Sequence, residues 1–241
     1  MLSAVVLTKN EQDNIAKCLE SLEFCDETIT IDDFSTDKTV EFSKKYKAKI
    51  IQHALNNNFS AQRNFALSQI KSGWILFVDA DEVISPELAS EIKTAITRAD
   101  HVGFYLPRED ILWGHRLHHG DTRTSLLRLA RRGAGEWRGR VHETWVVSGR
   151  TGTLASALDH YPHPTITDFL NHINYYSTLR ARELRDQGQK PALFPVLFYP
   201  PAKFLWLWLG KLGFLDGTPG FISAMMMAFY TFLTRGKLYL T

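Results

Sequence analysis

The stretch of sequence that best indicates the fold is WILFVDADE, Trp74–Glu82. Five apolar residues, typical of a buried strand, run into Asp79, Asp81 and Glu82 with a single alanine after the first aspartate. Side chains two residues apart on a strand face the same way, so the carboxylates of Asp79 and Asp81 can face one ligand. Two adjacent carboxylates disfavour joint ionisation without a cation. The pattern therefore predicts a positive partner at this strand end, and a hard divalent ion fits it.

The first hundred residues alternate strand and helix patterns. Strands are predicted at 3–8, 27–33, 48–53, 74–78 and 102–107. Helices are predicted between them, with Ser35 or Thr36, Ser60 and Ser85 as N-caps and Gly73 closing the helix that Ser60 starts. This alternation predicts the α/β class, with a Rossmann-like, mostly parallel sheet and helices on both faces.

Polar clusters follow three of the predicted strands. They are TKNE (8–11), DDFSTD (32–37) and DADE (79–82). Ligands of parallel sheets bind beyond the carboxyl ends of the strands. Because these ends share one edge, the three clusters are predicted to form a single site.

The segments TKNEQDNI (8–15), IDDFSTDKT (31–39) and FVDADE (77–82), in this order and spacing, resemble family-2 glycosyltransferases of the GT-A fold. The resemblance implies a nucleotide-sugar donor and a divalent metal, Mg²⁺ or Mn²⁺. It places Asp79 toward the ribose and Asp81 on the metal. The other implied donor contacts are Thr8, Asn10, Glu11, Asp32 or Asp33, and, from NNNFSAQRNFAL (56–67), Gln62, Arg63 and Asn64. Phe34 departs from the family, where many members have a small residue, often glycine.

Two later segments sharpen the resemblance. EWRGRVHETW (136–145) and the stretch 158–188 are similar to a bacterial subgroup that adds sugars to the lipopolysaccharide inner core. This similarity implies inverting transfer of a hexose, glucose by first choice, from a UDP-sugar to a lipopolysaccharide core or similar cell-envelope acceptor. Glu143, in His142-Glu143, is the expected general base, because inverting transfer needs a carboxylate near the acceptor hydroxyl. His160 is expected to complete the metal shell.

A cluster of arginines leaves other functions open. Its members are Arg128, Arg131, Arg132, Arg138 and Arg140. They fit a solvated basic face, a phosphate site for donor or acceptor, or a nucleic-acid-binding protein. With a net charge of +2 and no stacking-rich motif, no nucleic-acid partner is expected. A protein that binds a nucleotide sugar without turnover, or a nucleotidyltransferase, are further alternatives.

The predicted organisation is a GT-A domain at 1–190, with a nucleotide-sugar half (1–107) and an acceptor half (108–190), and a helical C-terminal tail at 191–241. The tail contains FLWLWLGKLGFL (204–215) and GFISAMMMAFYTFL (220–233), each too short to cross a bilayer. Both a buried helical hairpin and helices lying in a membrane interface fit this pattern. Without a signal-peptide pattern, the expected location is cytoplasmic, peripheral on the cytoplasmic face of the inner membrane.

Overall fold

The chain folds into two units in the computed structural model, which describes residues 1–71, 73–139, 143–162 and 165–240. The first unit is made of Met1–Arg108 and Ser125–His160, and the second of Glu109–Thr124 and Tyr161–Thr241. These limits differ from the predicted divisions after residues 107 and 190. The reason is that the segment 109–124 belongs to the same unit as the C-terminal helices.

The strands of the described chain are β1 (Leu2–Thr8), β2 (Glu27–Asp32), β3 (Lys49–Gln52), β4 (Trp74–Asp79), β5 (Glu82–Val83), β6 (Gly103–Leu112), β7 (His115–Arg116), β8 (Arg123–Arg131), β9 (Gly135–Arg138), β10 (Thr144–Val147), β11 (Thr151–Thr153) and β12 (Leu158–His160). The helices are α1 (Ile15–Ser21), α2 (Thr39–Lys45), α3 (Phe59–Gln69), α4 (Pro86–Ala95), α5 (Ile166–Asp186), α6 (Leu193–Leu205) and α7 (Gly217–Leu240). The α/β class predicted from the sequence is confirmed.

The main sheet of the first unit has the order β3-β2-β1-β4-β8-β6-β12-β5, with β11 paired to β6. Strands β3, β2, β1 and β4 are parallel, as predicted. Strand β8 separates β4 from β6 and runs antiparallel to β4. This insertion was not predicted, because the order of strands in a sheet need not follow their order along the chain, and β8 follows β6 in the sequence. Strands β9 and β10 form a separate antiparallel hairpin.

Both faces of the sheet are covered, as predicted. Alternate residues of β1 serve opposite faces, because strand side chains alternate. Ala4 and Val6 pack with residues of α1 and α4. Val5 packs with residues of α3 and with the hairpin tryptophans Trp137 and Trp145.

The N-termini of α3 and α4 can be compared with the N-cap residues predicted for them. Ser85 caps α4 as predicted, since its side chain accepts a backbone N–H three residues on. The cap predicted at Ser60 is wrong, because Asn58, two residues earlier, is the N-cap of α3. Helix α3 ends at Gln69, before Gly73, which instead occupies the turn into β4 with a φ of +93°.

The cap predicted for α2 at Ser35 or Thr36 is also wrong. Helix α2 begins at Thr39, and the Asp37 carboxylate accepts the Thr39 N–H at 2.9 Å, whereas Lys38 at the N-cap position makes no capping bond. Ser35 and Thr36 bond instead to Asn10, in the loop after β1. A long-range partner has therefore replaced the local capping interaction.

The second unit is built mainly from α5, α6 and α7, so the predicted C-terminal helices are present. Phe169, Ile173 and Met226 form one of the small cores between α5 and α7. A π-helical turn, Trp206–Gly210, and a 3-10 turn, Gly213–Asp216, connect α6 to α7. No single helix in the described chain is long and apolar enough to cross a bilayer. Two consecutive helical segments, Leu193–Gly210 and Gly213–Leu240, are long and apolar enough when taken together, but the chain bends by 73° between them.

Candidate active site

The three polar clusters lie side by side at one edge of the sheet of the first unit. Strand β1 is flanked by β2 and β4 in parallel register, with Thr8 paired to Asp32 and Leu7 to Asp79. The carboxyl ends of these strands therefore bring Thr8, Asp32 and Asp79 together, as predicted from their positions in the sequence.

The loops that follow β1 and β2 are bonded to each other. Asn10 donates its backbone N–H to the Ser35 hydroxyl at 2.9 Å and accepts the Thr36 N–H with its side chain at 2.8 Å. Asp32 is fully buried and accepts the backbone N–H of Ser35 at 3.1 Å. Asp33 is paired with Lys9 at 2.7 Å. Asn10 and Asp32 thus give this edge of the site a fixed shape before any ligand binds.

Asp79 has positive partners other than the metal ion expected for it. Arg63 Nη2 lies 2.8 Å from one of its carboxylate oxygens, and Arg128 Nη2 lies 2.6 Å from the other. Burial alone would raise the pKa of Asp79, but the two guanidinium groups outweigh it and hold this pKa well below its ordinary value. The requirement for positive charge at Asp79 is therefore met by protein side chains.

Arg63 joins Asp79 to Glu143, the predicted base. Its Nε donates to Glu143 Oε1 at 2.9 Å. The Arg63 side chain is only 3% exposed, and its guanidinium lies 4.7 Å from the ring centre of Trp137. Glu143 directly precedes β10 and is 13% exposed, so it can still reach a bound substrate. His142, predicted beside it, lies outside the described residues.

Arg128 extends the same network to Glu82. Its Nη2 lies 3.5 Å from Glu82 Oε1, and Arg108 approaches the same oxygen at 3.5 Å. Glu82 also accepts the backbone N–H of Asp79 at 2.8 Å, which fixes the turn after β4. Burial raises the pKa of Glu82 more than the neighbouring arginines lower it. With Glu143 and Arg63 included, three carboxyl groups lie among three guanidinium groups.

The predicted arginine cluster does not form one basic face. Arg128 is buried in the network, and Arg131 and Arg132 bond backbone carbonyls of His101 and Ile70. Arg138 pairs with Glu136, and Arg140 lies outside the described residues. The four described members of the cluster, although close in sequence, therefore have separate partners.

Asp81 and His160, the two residues predicted as metal ligands, lie next to each other. His160 Nε2 lies 3.3 Å from Asp81 Oδ2, because β12 pairs with β5 just after the Asp-x-Asp turn. A carboxylate oxygen suits Mg²⁺ or Mn²⁺, and an imidazole nitrogen is a common ligand of transition metals. The described residues contain no group of three or more acidic, histidine or cysteine side chains placed to hold a metal. Among the residues that the structure describes, Asp81 and His160 are therefore a pair of candidate ligands and not a complete metal shell.

Glu11 and Gln62, two further residues predicted to contact the nucleotide sugar, lie in different environments. Burial, with added repulsion from Asp81, raises the pKa of Glu11 to about 7, although a hydrogen bond from Asn14 opposes the shift. Gln62 is buried, and its amide nitrogen donates to the His53 carbonyl at 2.7 Å. Its carbonyl oxygen contacts the His53 ring, so the amide of Gln62 is engaged by the protein itself.

Sequence reasoning missed the attachment of the β9–β10 hairpin to α3. Asn64 donates to the Trp137 carbonyl at 2.9 Å and accepts the Trp137 N–H at 2.9 Å. Trp137 is paired in register with Trp145 on β10. The only sequence feature that pointed to this contact was an asparagine next to an arginine in α3. The residues around Asn64 do not identify a hydrogen-bond partner 73 residues away.

A parallel α/β sheet whose carboxyl edge carries paired loops, an Asp-x-Asp turn and a nearby carboxylate defines a glycosyltransferase of the GT-A fold. The model of the family described as Glycosyl transferase family 2 matches residues 3–153. LpsC, a lipopolysaccharide core biosynthesis glycosyltransferase of Rhizobium meliloti (strain 1021), is 32% identical over 99% of this chain and 92% of its own length. An uncharacterized glycosyltransferase of Rickettsia bellii (strain RML369-C) is 29% identical, over 98% and 85% of the two chains. The chain therefore belongs to glycosyltransferase family 2.

Solved structures support the same fold. The mannosyltransferase PcManGT of Pyrobaculum calidifontis, in complex with GDP-Man and Mn²⁺, superposes with a TM-score of 0.58 at 14% identity, over 98% of this chain and 86% of that one. S. aureus TarS 1-349 superposes with a TM-score of 0.52 at 16% identity, over 99% and 88%. At these identities the likeness concerns the fold, which confirms the predicted GT-A architecture.

Proposed function

We propose that this enzyme is an inverting, metal-dependent glycosyltransferase that moves a hexose, glucose by first choice, from a UDP-sugar to a lipopolysaccharide core or a related cell-envelope acceptor. The observation that carries the proposal is the contact of His160 with Asp81 beside the aligned strand ends of Thr8, Asp32 and Asp79. The similarity to LpsC over nearly the full length of both chains supports the acceptor class.

Donor binding is assigned to the edge formed by β1, β2 and β4. In this proposal Thr8, Asp32 and Asp33 contact the nucleoside and Asp79 contacts the ribose. Two arginines balance the charge of Asp79. Asp81 and His160 would hold the divalent ion. When bound, that ion neutralises negative charge that develops on the diphosphate as it leaves.

Glu143 is assigned as the general base. Oε1 is held by Arg63, and no donor among the described residues bonds Oε2. Oε2 can therefore accept the proton of the acceptor hydroxyl while the hydroxyl oxygen attacks the anomeric carbon. The new glycosidic bond forms as the bond to the diphosphate oxygen breaks, and the nucleoside diphosphate leaves with that electron pair. Attack from the opposite face inverts the anomeric configuration.

The donor half of the proposal is tested by calorimetric titration of UDP and UDP-glucose in Mn²⁺ and in EDTA. Binding is expected in Mn²⁺, and it should weaken strongly in EDTA and in the Asp81→Ala variant. Ser90→Ala, an exposed change on α4 away from the strand ends, is the matched control. Equal binding by Asp81→Ala and the native protein would reject the metal assignment.

The transfer half is tested with lipopolysaccharide isolated from Rhizobium meliloti lacking LpsC, with mass spectrometry to detect one added hexose. Glu143→Gln is expected to lower turnover by about 100-fold or more while donor binding stays near the native value. Donor binding without transfer to this or any other core acceptor would favour the binding-only alternative. A product that retains the anomeric configuration would contradict the inverting mechanism.

Peripheral attachment to the cytoplasmic face of the inner membrane is part of the proposal. Phe194, Phe198 and Trp206, on α6 and the following turn, are 61%, 55% and 55% exposed, and α6 buries none of its side chains. Such a continuous apolar surface is uncommon on monomeric soluble proteins and suits an interfacial helix.

The charges of the C-terminal tail also suit anionic lipid. Residues 191–241 contain four basic side chains, namely Lys203, Lys211, Arg235 and Lys237, against one acidic residue, Asp216. Asp216 is buried and engaged by the backbone N–H groups and ring of the loop at His118 and His119. Lys203 is paired with Asp121, so the net positive charge of the tail comes from Lys211, Arg235 and Lys237. We propose that this surface binds an anionic bilayer.

A further inference from the structure

Arg63 contacts both the donor-side aspartate, Asp79, and the proposed base, Glu143. Its Nη2 bonds Asp79 at 2.8 Å and its Nε bonds Glu143 at 2.9 Å. The two carboxylates come from positions 64 residues apart in the chain, one ending β4 and one preceding β10. A change in the position of this guanidinium would therefore move Glu143 relative to the donor edge.

The guanidinium has little freedom to move. It is almost fully buried between aromatic rings, 4.7 Å from the centre of Trp137 and 5.4 Å from that of Phe77. Asp79, its second anchor, is itself fixed by Arg128 at 2.6 Å. A planar, delocalised guanidinium can serve two carboxylates in a fixed geometry, which a lysine ammonium cannot reproduce.

The next residue of α3 holds the segment that carries the base. Asn64 makes two hydrogen bonds of 2.9 Å to the backbone of Trp137 on β9. Strand β9 pairs with β10, and Glu143 is the residue just before β10. Successive residues of one helix therefore fix the hairpin backbone and the carboxylate of Glu143.

We infer that Arg63 is a positioning residue for Glu143, which sets the distance and orientation of the base relative to the donor edge, with Asn64 as its backbone counterpart. This role differs from the donor contact predicted for Arg63 from the family resemblance. It rests on the proposed function, since it requires Glu143 to act on the acceptor hydroxyl.

The test is a double-mutant cycle of Arg63→Lys and Glu143→Gln, assayed with UDP-glucose and the LpsC-deficient lipopolysaccharide acceptor. Arg63→Lys should lower kcat about 100-fold, because a misplacement of about 1 Å at a reacting group can cost that much. The Kd for UDP-glucose, measured by calorimetry, should stay within about threefold of the native value. In the Glu143→Gln background, the same change should lower the residual turnover by no more than about threefold.

Other results would overturn the inference in identifiable ways. An equal loss of kcat in both backgrounds would mean that Arg63 acts without Glu143. A loss of donor affinity that matches the loss of kcat/KM would make Arg63 a donor ligand. Full turnover by Glu143→Gln would remove the proposed base, and with it the role of Arg63, whatever Arg63→Lys does.

A second variant covers the case in which Arg63→Lys does not fold. Asn64→Ala leaves the buried charges in place and releases the hairpin backbone from α3. It should lower kcat about tenfold with donor Kd unchanged, and this loss should again disappear in the Glu143→Gln background. Native turnover by Asn64→Ala, with circular dichroism and melting temperature close to native, would overturn the part of the inference that concerns the hairpin.

Discussion

The ionised form of Glu11 is electrostatically unfavourable in the folded protein, at the edge of the sheet. Its pKa is raised to about 7 from 4.5 by burial and by nearby carboxylates. A carboxyl group whose pKa is raised by folding favours the folded state at low pH, and this advantage is lost as the pH rises from about 4.5 to about 7. At pH 8 the ionised Glu11 therefore opposes folding.

Replacement of Glu11 by glutamine should remove this cost. The free energy of unfolding of Glu11→Gln should exceed that of the native protein by up to about 3 kcal/mol at pH 8, and the two should converge near pH 5. Urea unfolding at the two pH values, followed by circular dichroism, measures the difference. A stability gain of equal size at both pH values would show that charge is not its cause.

Phe34 has a backbone conformation that disfavours any side chain with a Cβ. Its φ is +52°, in the left-handed region, and its ring is 55% exposed. The family resemblance identified this position as a departure, because many members have a small residue there, often glycine. Phe34→Gly should be more stable than Phe34→Ala by about 1 kcal/mol, since both lose the ring and only glycine relieves the strain. Thermal denaturation of the two variants measures that difference, and equal melting temperatures would contradict it.

At the scale of elements, α3 has two candidate N-cap residues, Asn58 and Ser60, which the structure distinguishes. Asn58 accepts the backbone N–H of Ala61, whereas Ser60 only donates to the Asn58 side chain. Asn58→Ala should lower the free energy of unfolding by about 1 kcal/mol, and Ser60→Ala should lower it by much less. Chemical denaturation of both variants provides the comparison, and the reverse order would restore Ser60 as the cap.

These caps illustrate what local sequence could and could not predict. Ser85 was predicted correctly because proline follows it and few other capping residues compete nearby. Before α3 the sequence offers three asparagines and a serine in succession around Phe59, so residue type alone does not fix the start. For α2, the hydroxyls of Ser35 and Thr36 form hydrogen bonds with Asn10, which is distant in the chain.

The strand pattern determined more of the site than the helices did. Alignment of Thr8, Asp32 and Asp79 at one edge followed from strand alternation and was confirmed by the register of β1, β2 and β4. The arginine partners of Asp79 did not follow, since Arg63 is 16 residues earlier and Arg128 is 49 residues later. Charge pairing across such separations depends on packing, which the sequence does not display.

At the scale of the whole molecule, the proposed membrane attachment depends on a few exposed rings. A variant with Phe194→Ser, Phe198→Ser and Trp206→Ser should bind vesicles of phosphatidylglycerol and phosphatidylethanolamine at least about tenfold more weakly, because each ring contributes apolar area to the contact. Co-sedimentation measures this binding. Tyr105→Ser, at an exposed aromatic of β6 in the first unit, is the control. Native-like vesicle binding by the triple variant would reject the proposed surface.

The buried arginine and carboxylate network has a consequence for the response to ionic strength. At about 1 M salt the Debye length falls to about 3 Å, so attraction between exposed lysines and anionic lipid is largely screened. Dissolved ions scarcely reach the pairs of Arg63 with Asp79 and Glu143, because the guanidinium is closed to water. Concentrated sodium chloride should therefore weaken attachment to the membrane while the active-site geometry persists. Salt then becomes a means of studying the same chain as a free enzyme on a soluble core oligosaccharide, or as an interfacial enzyme on lipid.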